Sequence, residues 1–258
     1  MKKADGVSII IAVWNQIAYT KLCLDYLLRN SKDVPFEIII VDNGSRPDTM
    51  AFIESIRHKA DIRYIRNDKN LGPIKAINQG IEASKYRYSA VMHNDVIIFE
   101  DGWLGRMVKV FERDPGIGIA GFAGRKEIYK NGAVNETSLK HNLKNEDLNE
   151  TMEEEVSEVA VLDGLFFMMR QELLDKIKGL DETYGYMHCY DLDVSLKSIE
   201  AGFKNVVVNI EAMHVANGGM TRGQKEYKAV VKDDYGLLKR NCRILSEKWR
   251  HLLPLKVG

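Results

Sequence analysis

Cysteine is scarce in this chain of 258 residues, and the three present, Cys23, Cys189 and Cys242, stand far apart with no pairwise motif. That excludes a disulfide framework and a cysteine zinc site, and it fits a reducing compartment. A charge of one sign is also missing: 37 Lys and Arg balance 37 Asp and Glu. Nothing global therefore argues for a nucleic-acid partner. No apolar run approaches the ~20 residues that span a bilayer. The start, Met1-Lys2-Lys3-Ala4-Asp5-Gly6, leads directly into strand-like sequence without the apolar core of a signal peptide. The expectation is a cytoplasmic protein. The first strand-to-helix turn also lacks two signatures, G-x-G-x-x-G and G-x-x-x-x-G-K-[ST], and no G-x-S-x-G elbow is present, which lowers the standing of dinucleotide oxidoreductases, P-loop NTPases and serine hydrolases.

What is present centres on Ala90-Val91-Met92-His93-Asn94-Asp95-Val96-Ile97-Ile98, an apolar run interrupted by an amide and a carboxylate. A carboxylate at the end of a buried strand is costly unless paired. A divalent cation is one partner, since hard cations take oxygen ligands. The other reading is that Asp95 caps the turn or helix near Asp101-Gly102-Trp103. Upstream, Val7 to Trp14 and Phe36 to Val41 are β-rich and apolar on both faces, as buried parallel strands are. Ile62 to Ile65 and Tyr88 to Met92 supply two more. Helical periodicities separate them, one opened by Pro73. The alternation predicts an α/β doubly wound, Rossmann-like, mostly parallel sheet flanked by helices. Ligands bind such sheets at the carboxyl ends of the strands, where Asn15, Asp42, Asn43, Asn94 and Asp95 all fall. Residues from about Ala123 to Glu158 are polar and aperiodic and read as a mobile lid or binding loop. The Glu153-Glu154-Glu155 run reads as a solvated face.

Several segments match a known pattern in the right order. They are Val13-Trp14-Asn15, the strand Glu37 to Asp42 with Asn43-Gly44-Ser45, Asn70-Leu71-Gly72 with Asn78-Gln79-Gly80, Asn94-Asp95, Tyr190-Asp191-Leu192-Asp193 with Ala201-Gly202-Phe203, and His214. Over residues 7 to 220 the chain resembles the family 2 glycosyltransferases of the GT-A fold. That resemblance implies a nucleotide-binding half at about 1–100 and an acceptor-binding, catalytic half at 101–220. It implies nucleotide contacts from Val13, Trp14, Asn15, Asp42, Asn43, Asn70, Gly72, Lys75 and Asn94. Asp42 would accept from the N–H of a pyrimidine, with Trp14 against its face, which suits uracil or thymine and leaves guanine open. Asp95 and His214 would hold Mn2+ or Mg2+ on the diphosphate, and a His ligand tilts the choice toward Mn2+. Asp191 would be the general base of an inverting transfer. Two of these residues keep a simpler reading. Lys75 can be an exposed lysine, and Asp191 with Asp193 can merely cap and charge a helix start.

The chain also departs from the family. Ala12 stands where Pro is common, Tyr190 where Glu is usual and Asn94 where a second acid is usual, and His93 is left outside the metal shell. Residues 221–258 form a basic amphipathic helical tail that fits an anionic membrane, the chain's own domain or a second subunit. The expected function is metal-dependent, inverting transfer of a sugar from a UDP- or dTDP-sugar to a glycan or lipid-linked saccharide. Two rivals are a non-catalytic nucleotide-sugar-binding relative and a sugar-nucleotide pyrophosphorylase. The pyrophosphorylase would need a Gly-rich basic loop where Trp14-Asn15-Gln16 stands.

Overall fold

The structure is a computed structural model, and it describes residues 3–144, 152–215, 222 and 225–258. The Asn217-Gly218-Gly219 loop noted in the sequence lies outside the described residues. Runs of Ile and Val with no polar face set the centre. Strands β1 (Ala4–Val13), β2 (Phe36–Asp42), β3 (Ile62–Arg66) and β4 (Tyr86–His93) pair in parallel in the order β4-β1-β2-β3. Ile9, Ile10, Ile11 and Ile38 to Val41 are fully buried, because helices cover both faces. Those helices are α1 (Ile17–Asn30), α2 (Pro47–Ile56) and α3 (Pro73–Ala83); α2 and α3 open on proline. Gly80 is a packing residue: a Cβ there would sit 2.3 Å from Ile10 Cγ2, so α3 lies close on β1 only because position 80 has no side chain.

Past β4 the chain makes the short β5 (Val96–Ile98), α4 (Trp103–Arg113) and β6 (Ile117–Gly121). The stretch expected to be a lid is partly built of short strands instead. β7 (Ala123–Arg125), β8 (Glu127–Ile128) and β9 (Leu139–His141) precede β10 (Val156–Val159), and β7 pairs with β9 and with β11 (Val161–Leu162). These strands are too short for a period-2 pattern to register in sequence. Next come β12 (Phe166–Arg170), α5 (Gln171–Ile177), α6 (Tyr190–Glu200), β13 (Lys204–Val208) and β14 (Ala212–His214). The main sheet has eight strands in the order β10-β13-β6-β12-β4-β1-β2-β3. β12 runs antiparallel between β4 and β6, and β10 antiparallel to β13. One sheet thus crosses both expected halves. No helix among the described residues is long and apolar enough to cross a membrane.

The tail forms α7 (Lys225–Val230), α8 (Asp234–Lys248) and β15 (Leu255–Lys256), and β15 pairs with β8. Its apolar face turns inward: Leu245, Trp249 and Leu253 are buried. Asp193 of α6, fully buried, receives Trp249 Nε1 at 2.8 Å, Lys248 Nζ at 2.7 Å and the Tyr184 hydroxyl at 3.0 Å. Of the three docking partners open to the tail, its own domain is the one it packs on here. Trp249→Ala is expected to cost about 3–5 kcal/mol, read as a lowered denaturation midpoint. A loss below about 1 kcal/mol would mean the indole is not an anchor.

Candidate active site

Three strand ends and the turn before α3 converge on a cavity of about 170 Å³. Its lining includes Val13 and Trp14 after β1, Asn43 after β2, Asn70 before α3, and His93, Asn94 and Asp95 after β4. Tyr186, Met187 and Tyr190 face them from the approach to α6, and Arg222 and Tyr227 from the C-terminal region. An amide chain holds the floor. Asn43 Nδ2 donates to Asn70 Oδ1 at 2.8 Å and to the Gly72 carbonyl at 3.1 Å. Asn70 Nδ2 in turn donates to the Tyr186 hydroxyl oxygen at 2.6 Å. Gly72 has a φ of 89°, and a Cβ there would lie 3.1 Å from the Tyr186 carbonyl oxygen. Its freedom is what seats this turn.

Several of the expected contact residues are engaged within the protein. Asp42 is fully buried and does not line the cavity. Its Oδ1 accepts the Ser45 N–H at 2.8 Å, and its Oδ2 accepts the Tyr64 hydroxyl at 2.5 Å and the Arg66 guanidinium. Burial and that carboxylate push the Tyr64 phenol up to about 12. Both Asp42 oxygens are thus engaged within the protein, and Arg66 supplies the compensating cation. Asn15 is likewise turned inward, accepting the Arg46 N–H at 2.9 Å. Lys75 is exposed, 4.0 Å from Glu182 and off the lining, in keeping with its simpler reading. Asn94 lines the cavity but donates to Thr20 Oγ1 at 2.9 Å.

The carboxylate-imidazole group is the most specific feature. β14 pairs antiparallel with β5, setting His214 opposite Val96, and the Val215 N–H bonds to the Asp95 carbonyl at 2.9 Å. This pairing carries His214 Nε2 to 3.2 Å from Asp95 Oδ1 and 3.4 Å from His93 Nδ1, while His93 Nδ1 is 4.0 Å from Asp95 Oδ1. Ligands about 2.1 Å from one ion at right or tetrahedral angles stand about 3.0–3.4 Å apart, so the three atoms need to close only slightly around a cation. Two imidazoles and one carboxylate are also a donor set known to bind divalent transition metals. The helix-capping reading of Asp95 fails: the residue before α4 is Gly102, with no side-chain cap. Burial and the neighbouring His214 lower His93 to about 4, so its imidazole is neutral at pH 7 and has a lone pair to offer. Its other nitrogen, Nε2, is 3.3 Å from the Tyr190 hydroxyl, which orients the ring. Burial opposes ionisation of Asp95, yet the His214 hydrogen bond and the imidazoles hold the carboxyl below its ordinary value.

Asp191 lies one layer behind. The cap position of α6 is Cys189, with φ 63° and no side-chain cap, and Asp191 sits in the first turn. Its Oδ2 accepts the Gly164 N–H at 2.9 Å and its Oδ1 the Leu192 N–H at 3.0 Å. Burial, then the nearby Asp163, raises the carboxyl to about 6. Asp163 is itself paired with Arg125. Asp191 is not on the cavity lining; Tyr190, beside it, is. Asp193, by contrast, serves the tail. Sequence reasoning missed His93, Tyr186, Tyr190, Arg222 and Tyr227 as lining groups. Their visible signals were the aromatic run Tyr184-Gly185-Tyr186, the place of His93 beside Asn94-Asp95 and the place of Tyr190 before Asp191.

Residues 8–178 match the model of glycosyl transferase family 2. A hyaluronan synthase of Pasteurella multocida is 33% identical over 92 residues, 35% of this chain and 10% of that protein. A poly-beta-1,6-N-acetyl-D-glucosamine synthase of Staphylococcus epidermidis is 27% identical over 118 residues, 45% of this chain and 28% of that protein. The matched stretch thus spans under a third of either relative. Among solved structures, a mannosyltransferase of Pyrobaculum calidifontis in complex with GDP-Man and Mn2+ superposes with a TM-score of 0.63 at 14% identity, covering 97% of this chain and 71% of that one.

Proposed function

Since the chain belongs to glycosyl transferase family 2, we propose that it transfers a sugar from a nucleotide-sugar donor, UDP- or dTDP-linked by preference, to a hydroxyl of a glycan or lipid-linked saccharide with inversion. The observation that carries this reading is the convergence of His93, Asp95 and His214 beside a cavity floored by Asn43 and Asn70. Trp14 would stack on the base, and Asn43, Asn70 and Tyr186 would position the nucleoside. His93, Asp95 and His214 would hold Mn2+ or, less readily, Mg2+. A divalent cation there would neutralise the departing diphosphate. Arg222, an exposed cation on the same lining, would add to that neutralisation. Asp191 would take the acceptor proton as its oxygen attacks the anomeric carbon. A carboxyl raised to about 6 suits a base that is ionised at neutral pH yet still holds a proton well. The acceptor would enter from the side of Tyr190 and Gly164. The division into a donor half, an acceptor half and a tail is part of the same proposal.

The test is a thermal-shift titration with UDP, dTDP, GDP, CDP and ADP, with Mn2+, Mg2+ or a chelator. A ligand at about 100 times its Kd stabilises the folded state by about 2.7 kcal/mol, a rise of about 5–10 °C for a chain this size. The expected result is a rise with UDP or dTDP that requires the metal and is larger with Mn2+. Shifts equal in metal and chelator, or none with any nucleotide, would overturn the proposal.

A further inference from the structure

The cysteines that lie scattered in sequence are not all apart in space. Cys189 and Cys242 bring their Sγ atoms to 3.8 Å. Cys23 is separate, 1% exposed, with its Sγ 3.7 Å from the His93 carbonyl oxygen. Cys189 is buried at the start of α6, immediately before Tyr190 and Asp191, and follows His188; the two have φ values of 63° and 72°. Two successive left-handed residues without glycine make a strained turn. Asn241 of α8 holds this turn from the tail side, its Nδ2 donating to the Met187 carbonyl at 2.6 Å and the Tyr184 carbonyl at 2.8 Å. Cys242 is the next residue, and it opens on a surface groove beside Lys239 and Arg243. One half-exposed thiol near cations, touching one buried thiol, is the arrangement of an attacking and a resolving cysteine. The Cys189 hydrogen bond lowers the Cys242 thiol below its usual range, and the same contact together with burial raises Cys189.

We propose that Cys242 and Cys189 form an oxidisable dithiol, in which a hydroperoxide reaches Cys242 through the groove and the pair closes to a disulfide joining α8 to the turn that carries Asp191. The Cys242 thiolate attacks one peroxide oxygen, breaking the O–O bond, and becomes a sulfenic acid as the other oxygen leaves as hydroxide or alkoxide. The Cys189 sulfur then attacks the Cys242 sulfur. The S–O bond breaks, the Cys189 proton leaves with that oxygen as water, and the two thiols have together lost two electrons and two protons to the peroxide. The sulfurs must close from 3.8 Å to about 2.05 Å. Cys189 is already strained, so the closure pulls on Tyr190 and Asp191. The bond itself is independent of the functional reading, whereas its effect on turnover rests on Asp191 being the base.

The full chain is treated with a small excess of hydrogen peroxide, alkylated, digested without reductant and mapped by mass spectrometry. The expected result is a monomer lighter by about 2 Da, with one cross-linked peptide pair containing Cys189 and Cys242, reversed by dithiothreitol. Cys23 stays reduced. Prior blocking of Cys242 with N-ethylmaleimide, or Cys242→Ser, removes the link. Sulfinic acid at Cys242 without a cross-link, or links between chains, overturns the proposal. On the same samples, hydrolysis of the nucleotide sugar chosen by the titration is expected to fall at least about tenfold on oxidation, with the nucleotide-induced thermal shift kept and Cys242→Ser insensitive to peroxide. A bond with unchanged turnover overturns the coupling to α6. If Asp191→Asn itself keeps its turnover, it is the base assignment that has failed.

Discussion

Asp191→Asn is expected to lose about 10²–10⁴-fold in turnover while nucleotide binding is kept, and at the same time to become more stable at neutral pH. The loss follows from general-base catalysis, whose contribution is of that size. The gain follows from linkage. The folded carboxyl titrates at about 6 against an ordinary 3.8, because burial and Asp163 disfavour its charge. The folded state therefore binds this proton more tightly than the unfolded state does. The resulting stability is complete below about pH 4 and is lost as pH rises through about 6, so at pH 7 the carboxylate is a burden. Two pKa units correspond to about 3 kcal/mol. The amide of Asn cannot accept both the Gly164 and Leu192 N–H groups, which returns about 1–2 kcal/mol. A net gain of about 1–2 kcal/mol at pH 7, turning into a loss of about 1–2 kcal/mol below pH 4, is the expected result in denaturant titrations. The wild-type turnover should correspondingly rise with pH through about 6 and then level off. An inactive variant that is less stable at pH 7 would point to a structural carboxylate. An active one would exclude the base.

Asp95→Asn should behave in the opposite sense. Asp95 is the one carboxylate of the metal group, held between two imidazoles. Its loss removes the anionic ligand, and the expected cost is about 10²–10³-fold in turnover, the several kcal/mol that a cation supplies to a departing diphosphate. The metal-dependent part of the nucleotide thermal shift should vanish too. The stability sign is reversed because the folded carboxyl is depressed. Its contribution is present above the ordinary pKa and fades as pH falls through the depressed value. Metal-free Asp95→Asn should therefore be less stable than wild type at pH 7 and equal to it in strong acid. Isothermal titration with Mn2+ and nucleotide gives the direct check. Unchanged metal affinity would place the cation elsewhere.

The opposed behaviour of two aspartates was not legible from spacing, although both were singled out by it. Position at a strand end or helix start says that a carboxylate is near the cavity rim. It does not say whether a cation, a backbone N–H or another carboxylate faces it. Asp42 makes the same point: the strand that ends in it was plain in the sequence, but Arg66 and Tyr64 of β3 both bond to its Oδ2. In sequence, His93 stays outside the metal shell because a histidine beside such a motif is more often packed or hydrogen-bonded than a ligand. Only the pairing of β14 with β5 shows a second imidazole 3.4 Å from it.

Local sequence determined the alternating strands and helices, the prolines that open α2 and α3, and the polar residues that end β1, β2 and β4. Each of these depends on neighbours a few residues away, through side-chain periodicity and backbone sterics, and such terms are written along the chain. The tertiary structure decided the rest. It inserted β12 antiparallel between β4 and β6, turned residues 123–141 into short strands paired with distant ones, and folded the tail back onto Asp193. It also brought Cys189 and Cys242, 53 residues apart, to within 3.8 Å of each other. These contacts close long loops, and the energy that selects them comes from burying one surface against another, a quantity that no stretch of sequence carries alone.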